Sequence, residues 1–487
     1  MTVRNQPQLI TYPDSLGGTI RAIDDLLRGP LDGLFGGIHL LPPFPSSGDR
    51  GFAPLTYREI DPRFGSWGDV RRLGDRLDVE LDLMINHQSR QSPEFRDFAR
   101  RGRRSEYADL FITLDKVWPS GDPPPGDVAK IFLRRSNPFS PVAIEETGEV
   151  VRVWTTFGRE EPSEQIDIDV RSAVGHRLIE DHFRFFAEQK VRIVRLDAIG
   201  YVVKKAGTSC FMVEPEIYEV IDWLRGVAAP LGLELLTEVH AHLDVQRRLA
   251  ERGVWVYDFA LPGLVLDAIL SRDASKLGEH LRRSPPRQFT MLDCHDGIPV
   301  QPDLDGILEP AAAIRLVDAI VAAGGNVSRI LSPDHLRHPG LDAHQLNCTY
   351  WAATGRDDDA YVAARAIQLF APGIPQLYYV GLLAGDNDPE GVAATGEGRA
   401  VNRHDFTTAE ITAALAKPVV GRVLSLVRLR HDHPAFAGAV ETGADGAVIE
   451  QRWRADGETA TLRVDLAART IDVEVSRPDG GTDRFRA

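Results

Sequence analysis

Cysteine is scarce in this chain, with three among 487 residues. Cys210, Cys294 and Cys348 are far apart, odd in number and form no CxxC pair. That excludes a disulfide scaffold and the common zinc spacings, and reduced, structural cysteines are expected. Positive charge is outweighed: 56 Lys and Arg face 71 Asp and Glu, a net charge of −15. A nucleic-acid or anionic-membrane partner held by bulk electrostatics is therefore not expected. An anionic substrate needs only a local cationic pocket and remains open. No segment approaches the roughly 18 apolar residues of a membrane span. The opening MTVRNQPQLITY has no apolar run suited to a signal peptide, so a cytoplasmic protein is expected. A glycine-rich dinucleotide or P-loop motif, an internal repeat and low-complexity sequence are also missing.

What is present is a globular composition, 43% apolar and 26% charged. Short apolar runs alternate with longer amphipathic stretches. The runs are Leu9–Tyr12, Gly37–Leu41, Val79–Asn86, Val191–Asp197, Leu233–Val239, Val254–Phe259, Gln288–Leu292 and Ile374–Val380. Between them Ile217, Val220, Ile221 and Leu224 recur at the helical period, as do Ile179, Phe183 and Phe186. Eight strands alternating with helices predict an α/β fold, a (β/α)8 TIM barrel over 1–86, 168–296 and 357–432. Two gaps are too long for simple loops and predict inserted domains at 87–167 and 297–356. The second holds a helical stretch, Ala311–Ala323, and then a turn-rich stretch from Ser328 to Gln345. After His433 the period changes to two, which predicts a C-terminal antiparallel β-domain over 433–487.

In such a barrel the active site lies at the C-terminal ends of the strands. The fourth run ends in RLDAIG, where Arg195 and Asp197 share one face of a strand. Alone, that fits either a structural ion pair or a nucleophile held ionised by arginine. The third run adds Asn86 and His87, the fifth Glu238 and His240, the seventh His295 and Asp296. Three acids at neighbouring strand ends are hard to explain as packing, because like charges repel and desolvation is costly. Paired carboxylates suit glycosyl transfer with retention, one attacking the sugar carbon and the other acting as acid and then base. Asp197 is expected as nucleophile and Glu238 as acid/base, with the Glu238 pKa raised by its neighbours. Asp296 would stabilise the oxocarbenium-like transition state, and His87 and His295 would bond sugar hydroxyls.

The segments DLMINH (82–87), RLDAIG (195–200), TEVH (237–240), CHDG (294–297) and QIDID (165–169) resemble the signature regions of the α-amylase superfamily. QLITYPDSLGG, RLDAIGYVVKKAGTSCFM, YDFALPGLVL and GRAVNRH resemble its sucrose phosphorylase branch. The resemblance implies the triad Asp197, Glu238 and Asp296. It places Asp49, Phe52, His87, Phe157, Gln165 and Arg195 around the transferred glucose, with His295, Asp342, Gln345 and Arg399. Many amylases hold calcium near the inserted domain, where Asn86 matches one ligand position. The branch manages without it, so no metal and no cofactor are expected.

The acceptor end departs from plain sucrose phosphorylases. Arg135 falls where the branch uses an arginine on phosphate, Arg134 stands where proline is commoner, and His344 replaces a tyrosine. These changes add cationic and donor groups, which suit an acceptor carrying its own phosphate. With Tyr201, they resemble the subgroup acting on sucrose 6'-phosphate. The expected partners are that sugar, or sucrose, and inorganic phosphate. Sucrose phosphorylase, other glucoside phosphorylases with glucosylglycerol or glucosylglycerate, and a retaining α-glucosidase are the alternative activities. A catalytically dead binding protein is the non-enzymatic alternative, but it would be expected to lose triad acids. The oligomeric state stays open between monomer and homodimer.

Overall fold

The computed structural model describes residues 3–285, 287–331, 340–476 and 481–486. Eight parallel strands close into a barrel, each bonded to its neighbours in sequence and the last to the first. They are Gln8–Thr11, Gly37–Leu40, Asp78–Met84, Val191–Asp197, Glu234–Thr237, Trp255–Asp258, Gln288–Thr290 and Ile374–Tyr378. Their near-continuous burial follows from having helices outside and a packed interior within. Helices cover the outer face through the apolar stripes their spacing predicts. Ala173–Glu188 starts where the Ser172 side chain accepts from Gly175 N, and it buries Ile179, Phe183 and Phe186. Glu216–Ala228 buries Ile217, Val220, Ile221 and Leu224.

The barrel interior is not uniformly apolar. Period-two placement puts Glu80 and Asp82 on one face of the third strand, with Asp82 in register with Arg195. His39 Nε2 donates to Asp82 at 2.8 Å, and Gln376 Nε2 donates to Glu80 at 2.7 Å. A layer of paired charge therefore underlies the strand ends where the triad acids sit.

Between the third and fourth strands, His87–Ser89 pairs antiparallel with Gln165–Asp167 and Phe139–Ala143 with Val150–Trp154. After the seventh strand comes a three-stranded antiparallel sheet of Ile298–Pro299, Asn326–Arg329 and Ala343–Asn347, with helix Pro310–Ala322 between its first two strands in the chain. The stretch expected to be turn-rich thus contains strand at both ends, because Ala343–Asn347 is central and paired on both sides. Residues 332–339 of that stretch lie outside the described residues. A five-stranded antiparallel sheet from Ala439 to Arg486 ends the chain. Its Trp453 Nε1 donates to Phe370 O at 2.7 Å, tying it to a barrel helix. All three cysteines are free and buried. Among the described residues no helix is long and apolar enough to cross a membrane.

Candidate active site

A cavity of about 320 Å³ opens over the C-terminal strand ends, and Asp197, Glu238 and Asp296 all line it. Asp197 is the last residue of the fourth strand. Ala198 then enters the left-handed region at φ 54°, unusual for a residue with a Cβ. This turn aims the Ala198 N–H at Glu238 Oε2, 2.8 Å away. Arg195, buried beneath, donates from Nη1 to Asp197 Oδ1 at 3.0 Å and lies 3.0 Å through Nη2 from Glu238 Oε1. The same guanidinium also bonds Asp82. One buried cation therefore bridges two pocket acids and is itself held from below.

Asp296 is held from the far side of the sequence. Arg399 Nη1 donates to its Oδ1 at 2.7 Å, and Arg399 Nη2 to Asp49 Oδ1 at 2.9 Å. Asn402 Nδ2 donates to Asp296 O at 2.9 Å, and Arg403 Nε to His295 O at 2.7 Å. Deeper in the same connection, Asp293 receives Arg365 Nη2 at 2.8 and 2.7 Å. Gly381 permits this pair: a Cβ there would lie 1.9 Å from Arg365 Nη2.

The electrostatics are unequal. Burial and the Glu238 charge raise the Asp197 carboxyl well above the carboxylate range. Burial is the largest single influence on Glu238 and raises it, but Arg195, His240 and the Ala198 N–H together outweigh it and the net shift is downward. Asp296 is held well below its usual range despite burial, by His295 and then Arg399. The raised pKa expected of Glu238 is therefore not found; the shift is downward. Arg195 sits 3.0 Å from Glu238, while Asp197 lies among Glu238, Asp82 and Asp296, whose charges raise it.

Of the residues expected around glucose, Asp49, Phe52, His87, Phe157 and Gln165 line the cavity, as do His295, Gln345 and Arg399. His87 Nε2 donates to Phe52 O at 2.9 Å, and the Phe52 ring stacks on His295 at 5.0 Å. Burial drives His295 down to about 3, so it stands neutral. Asp342 does not line the cavity and pairs with Arg329 instead.

At the acceptor end Arg134, His344 and Tyr201 line the cavity. Arg134 Nη1 donates to His344 Nε2 at 2.5 Å, while His344 Nδ1 donates to Gln301 O at 2.8 Å. That arrangement needs a neutral imidazole, in line with a pKa pushed well down by burial and by Arg134. Arg135 points elsewhere: its buried guanidinium donates to Glu160 O at 2.7 Å and pairs with Glu161. In this state it holds the loop that follows Phe157 rather than facing the cavity.

Several side chains here carried no assigned role in the sequence reading. His240 lines the cavity with its Nδ1 3.1 Å from the buried Asp303. Asn402 and Arg403 lie within GRAVNRH, and Asp82 within DLMINH, where period-two spacing from Met84 was the available signal. Glu238, His240 and Asp296 bring one potential ligand atom each within 4.8 Å of the others. Arg195 and Arg399 already sit on the two carboxylates, which disfavours a cation there.

The α-amylase catalytic-domain family matches residues 33–244. The chain is 52% identical over 482 residues, 99% of both chains, to a sucrose 6(F)-phosphate phosphorylase of Thermoanaerobacterium thermosaccharolyticum. It is 41% identical to a sucrose phosphorylase of Streptococcus mutans, covering 97% of this chain and 98% of that one. A crystal structure of sucrose 6F-phosphate phosphorylase from Thermoanaerobacter thermosaccharolyticum superposes with a TM-score of 0.98 at 51% identity, over 100% of this chain and 99% of the other.

Proposed function

This chain belongs to the α-amylase superfamily and, within it, to the sucrose phosphorylase branch; from that premise we propose that it is a retaining phosphorylase of sucrose 6'-phosphate. The reaction exchanges a glucosyl group between fructose 6-phosphate and inorganic phosphate and yields α-glucose 1-phosphate. The observation that carries this reading is the bridge of Arg195 across Asp197 and Glu238 at the cavity floor, with Asp296 clamped opposite by Arg399. In the first step Asp197 attacks the anomeric carbon, the bond to the fructosyl oxygen breaks, and Glu238 gives that oxygen its proton. In the second, a phosphate oxygen attacks the same carbon, Asp197 leaves, and Glu238 takes the phosphate proton. Two inversions return the original configuration.

For the first step Asp197 must be ionised and Glu238 protonated. The glycosidic oxygen then offers Glu238 a hydrogen-bond acceptor, while Asp197 faces an electron-poor carbon. The low Glu238 pKa suits the second step, where it must arrive as a base. Asp296, held ionised, faces the positive charge that develops on the sugar ring. The scheme uses side-chain carboxyls alone, and neither a metal nor a cofactor enters it.

The choice of acceptor rests on Arg134 and His344, which place a guanidinium and a directed imidazole at one end of the cavity. Such groups suit a phosphate oxygen. Sucrose phosphorylase activity is the second reading, favoured by Arg135 being turned into the Glu160–Glu161 loop. We assign residues 87–167 and 297–356 as inserted domains and 433–487 as a C-terminal domain, and the cytoplasm as the compartment. The test runs the reaction in reverse. Phosphate release from glucose 1-phosphate is measured with fructose 6-phosphate, fructose, glycerol and glycerate as acceptors. Preference for fructose 6-phosphate is expected, and equal or better rates with fructose would reject the assignment. Glucose release at an undiminished rate in phosphate-free buffer would point to a hydrolase.

A further inference from the structure

The barrel interior below the triad holds a chain of charge that the reaction scheme leaves unused. Its members are Glu80, His39 and Asp82, with side chains at most 1% exposed. His39, on the second strand, lies between two residues of the third. Its Nδ1 is 3.2 Å from Glu80 Oε1 and its Nε2 2.8 Å from Asp82 Oδ2. The other oxygen of Asp82 accepts from Arg195, the guanidinium that also holds Asp197 and Glu238. Glu80 is met from two more strands. Gln376 Nε2 donates to its Oε2 at 2.7 Å, and the Tyr257 hydroxyl donates to its Oε1 at 3.2 Å. His39 also lines a small internal void together with Arg195, Tyr257, His295 and Asp296.

A neutral imidazole has one N–H, and here it would turn a lone pair toward one of the two carboxylates. The site therefore calls for one further proton, on His39 or on Glu80. Burial raises the Glu80 carboxyl and His39 is the first charge to oppose it, so the two compete for that proton. The Gln376 and Tyr257 donors favour the ionised carboxylate and leave the proton to His39. Despite burial, Asp82 is held down to about 2, by His39 and then by Arg195. We propose that Glu80 and His39 are positioning residues: Glu80 keeps His39 an imidazolium, the imidazolium balances Asp82, and Arg195 is thereby left to the pocket acids.

Barrel interiors are usually filled by branched aliphatic side chains. As packing alone the charged chain would gain little, since buried ion pairs are often no more stabilising than apolar groups of similar volume. Its use lies in direction. With His39 charged, signs alternate from Glu80 up to Arg195, and Asp82 has a cation on each side. With His39 neutral, Asp82 would draw on Arg195 alone, and Asp197 and Glu238 would share a guanidinium already committed below them. The other titratable groups facing this chain do not change charge near neutral pH. Burial holds Tyr257 on the sixth strand neutral, and likewise Cys294 and His295 after the seventh, while Asp296 stays ionised.

The inference rests on the proposed reaction only for its activity readout, so a measurement free of substrate accompanies it. Glu80→Gln, His39→Gln and the double variant are compared with the unmodified chain. Imidazole nitrogen NMR of histidine-labelled protein reads the charge, with His39 identified by its loss in either His39 variant. His39 should be an imidazolium at neutral pH in the unmodified chain and neutral in Glu80→Gln. In parallel, kcat/KM for glucose 1-phosphate is followed against pH with whichever acceptor proves active, which reports the free enzyme. Losing the imidazolium leaves Asp197 less compensated, so it ionises at higher pH. The acid limb should rise by roughly 0.5–1 pH unit in Glu80→Gln. The double variant should shift it no further, because the pair acts as one unit. An unmoved limb in Glu80→Gln would put the proton on Glu80, and a fall would mean that His39 keeps its charge unaided. Either result overturns the proposal, as does a neutral His39 in the unmodified chain. A lower Tm with an unchanged limb is the purely structural result and overturns it too. If the single variants do not fold, the double variant leaves no unpaired charge at the pair and carries the limb readout. If no acceptor is active with the unmodified chain, the functional reading fails while the nitrogen spectrum still decides on His39.

Discussion

Replacing Arg134 by alanine separates acceptor recognition from chemistry. Its guanidinium lines the acceptor end and donates to His344 Nε2 at 2.5 Å. A hydrogen bond to a charged group contributes about 1.5–3 kcal/mol. Since 1.4 kcal/mol is tenfold in affinity, losing one such contact should raise KM for fructose 6-phosphate by roughly 10- to 150-fold. Fructose carries no phosphate, so its KM should stay within about twofold, the range of a neutral change. A second signature follows from His344. Arg134 is one cause of its lowered pKa, so Arg134→Ala lets that pKa rise, while burial, the larger cause, keeps it below the ordinary value. As pH falls, an imidazolium partly replaces the lost guanidinium, and the KM defect should be smaller at pH 6 than at pH 8. The assay is initial-rate phosphate release at saturating glucose 1-phosphate, with each acceptor varied in turn. Equal losses with both acceptors, or an unchanged ratio of their KM values, would refute the reasoning.

Other outcomes follow from the same contacts. Asp197→Ala should abolish transfer to every acceptor while the far-ultraviolet circular dichroism stays that of the parent; substantial residual turnover would remove Asp197 from its assigned role. His295 has a folded pKa of about 3, so the unfolded chain binds its proton more readily and stability falls with pH below about 6.5. His295→Phe should therefore lessen the loss between pH 6.5 and 4.5 by roughly 2–3 kcal/mol, read from urea unfolding at each pH. Arg430 is buried and donates to Asn5 O at 2.9 Å, Asn5 Oδ1 at 2.7 Å and Gly373 O at 3.1 Å, joining the N-terminal segment to the last barrel strand. Arg430→Met should cost about 2–4 kcal/mol in unfolding free energy with kcat/KM unchanged. A matching fall in kcat/KM would show that this anchor reaches the active site.

Much of the barrel was readable because the eight apolar runs are short, rich in β-branched residues and separated by helical spacing. The acids were readable for a different reason: Asp197, Glu238 and Asp296 interrupt apolar runs where an unpaired charge would be costly. Supporting side chains were harder to find. Arg399, Asn402 and Arg403 lie more than a hundred residues from the Asp296 segment they hold, and only folding brings them together. The strands at the two ends of Ser328–Gln345 pair with each other across the stretch, and the second also pairs with Ile298–Pro299, none of which turn-forming composition reveals. Arg134 and Arg135 show the limit most clearly. Adjacent and chemically alike, they differ only in direction, one into the cavity and one into the Glu160–Glu161 loop.

By itself, the sequence determined the strand and helix pattern, the three acids at strand ends and the cationic residues of the acceptor region. Hydrophobic period and the cost of burying charge are local properties, and they are written along the chain. Tertiary structure alone decided which acids Arg195 and Arg399 clamp, which arginine faces the cavity and which cation joins the insertion to the barrel. Those outcomes depend on distances of a few ångströms between residues remote in sequence. Electrostatic energy varies steeply with such distances, and no spacing along the chain encodes them.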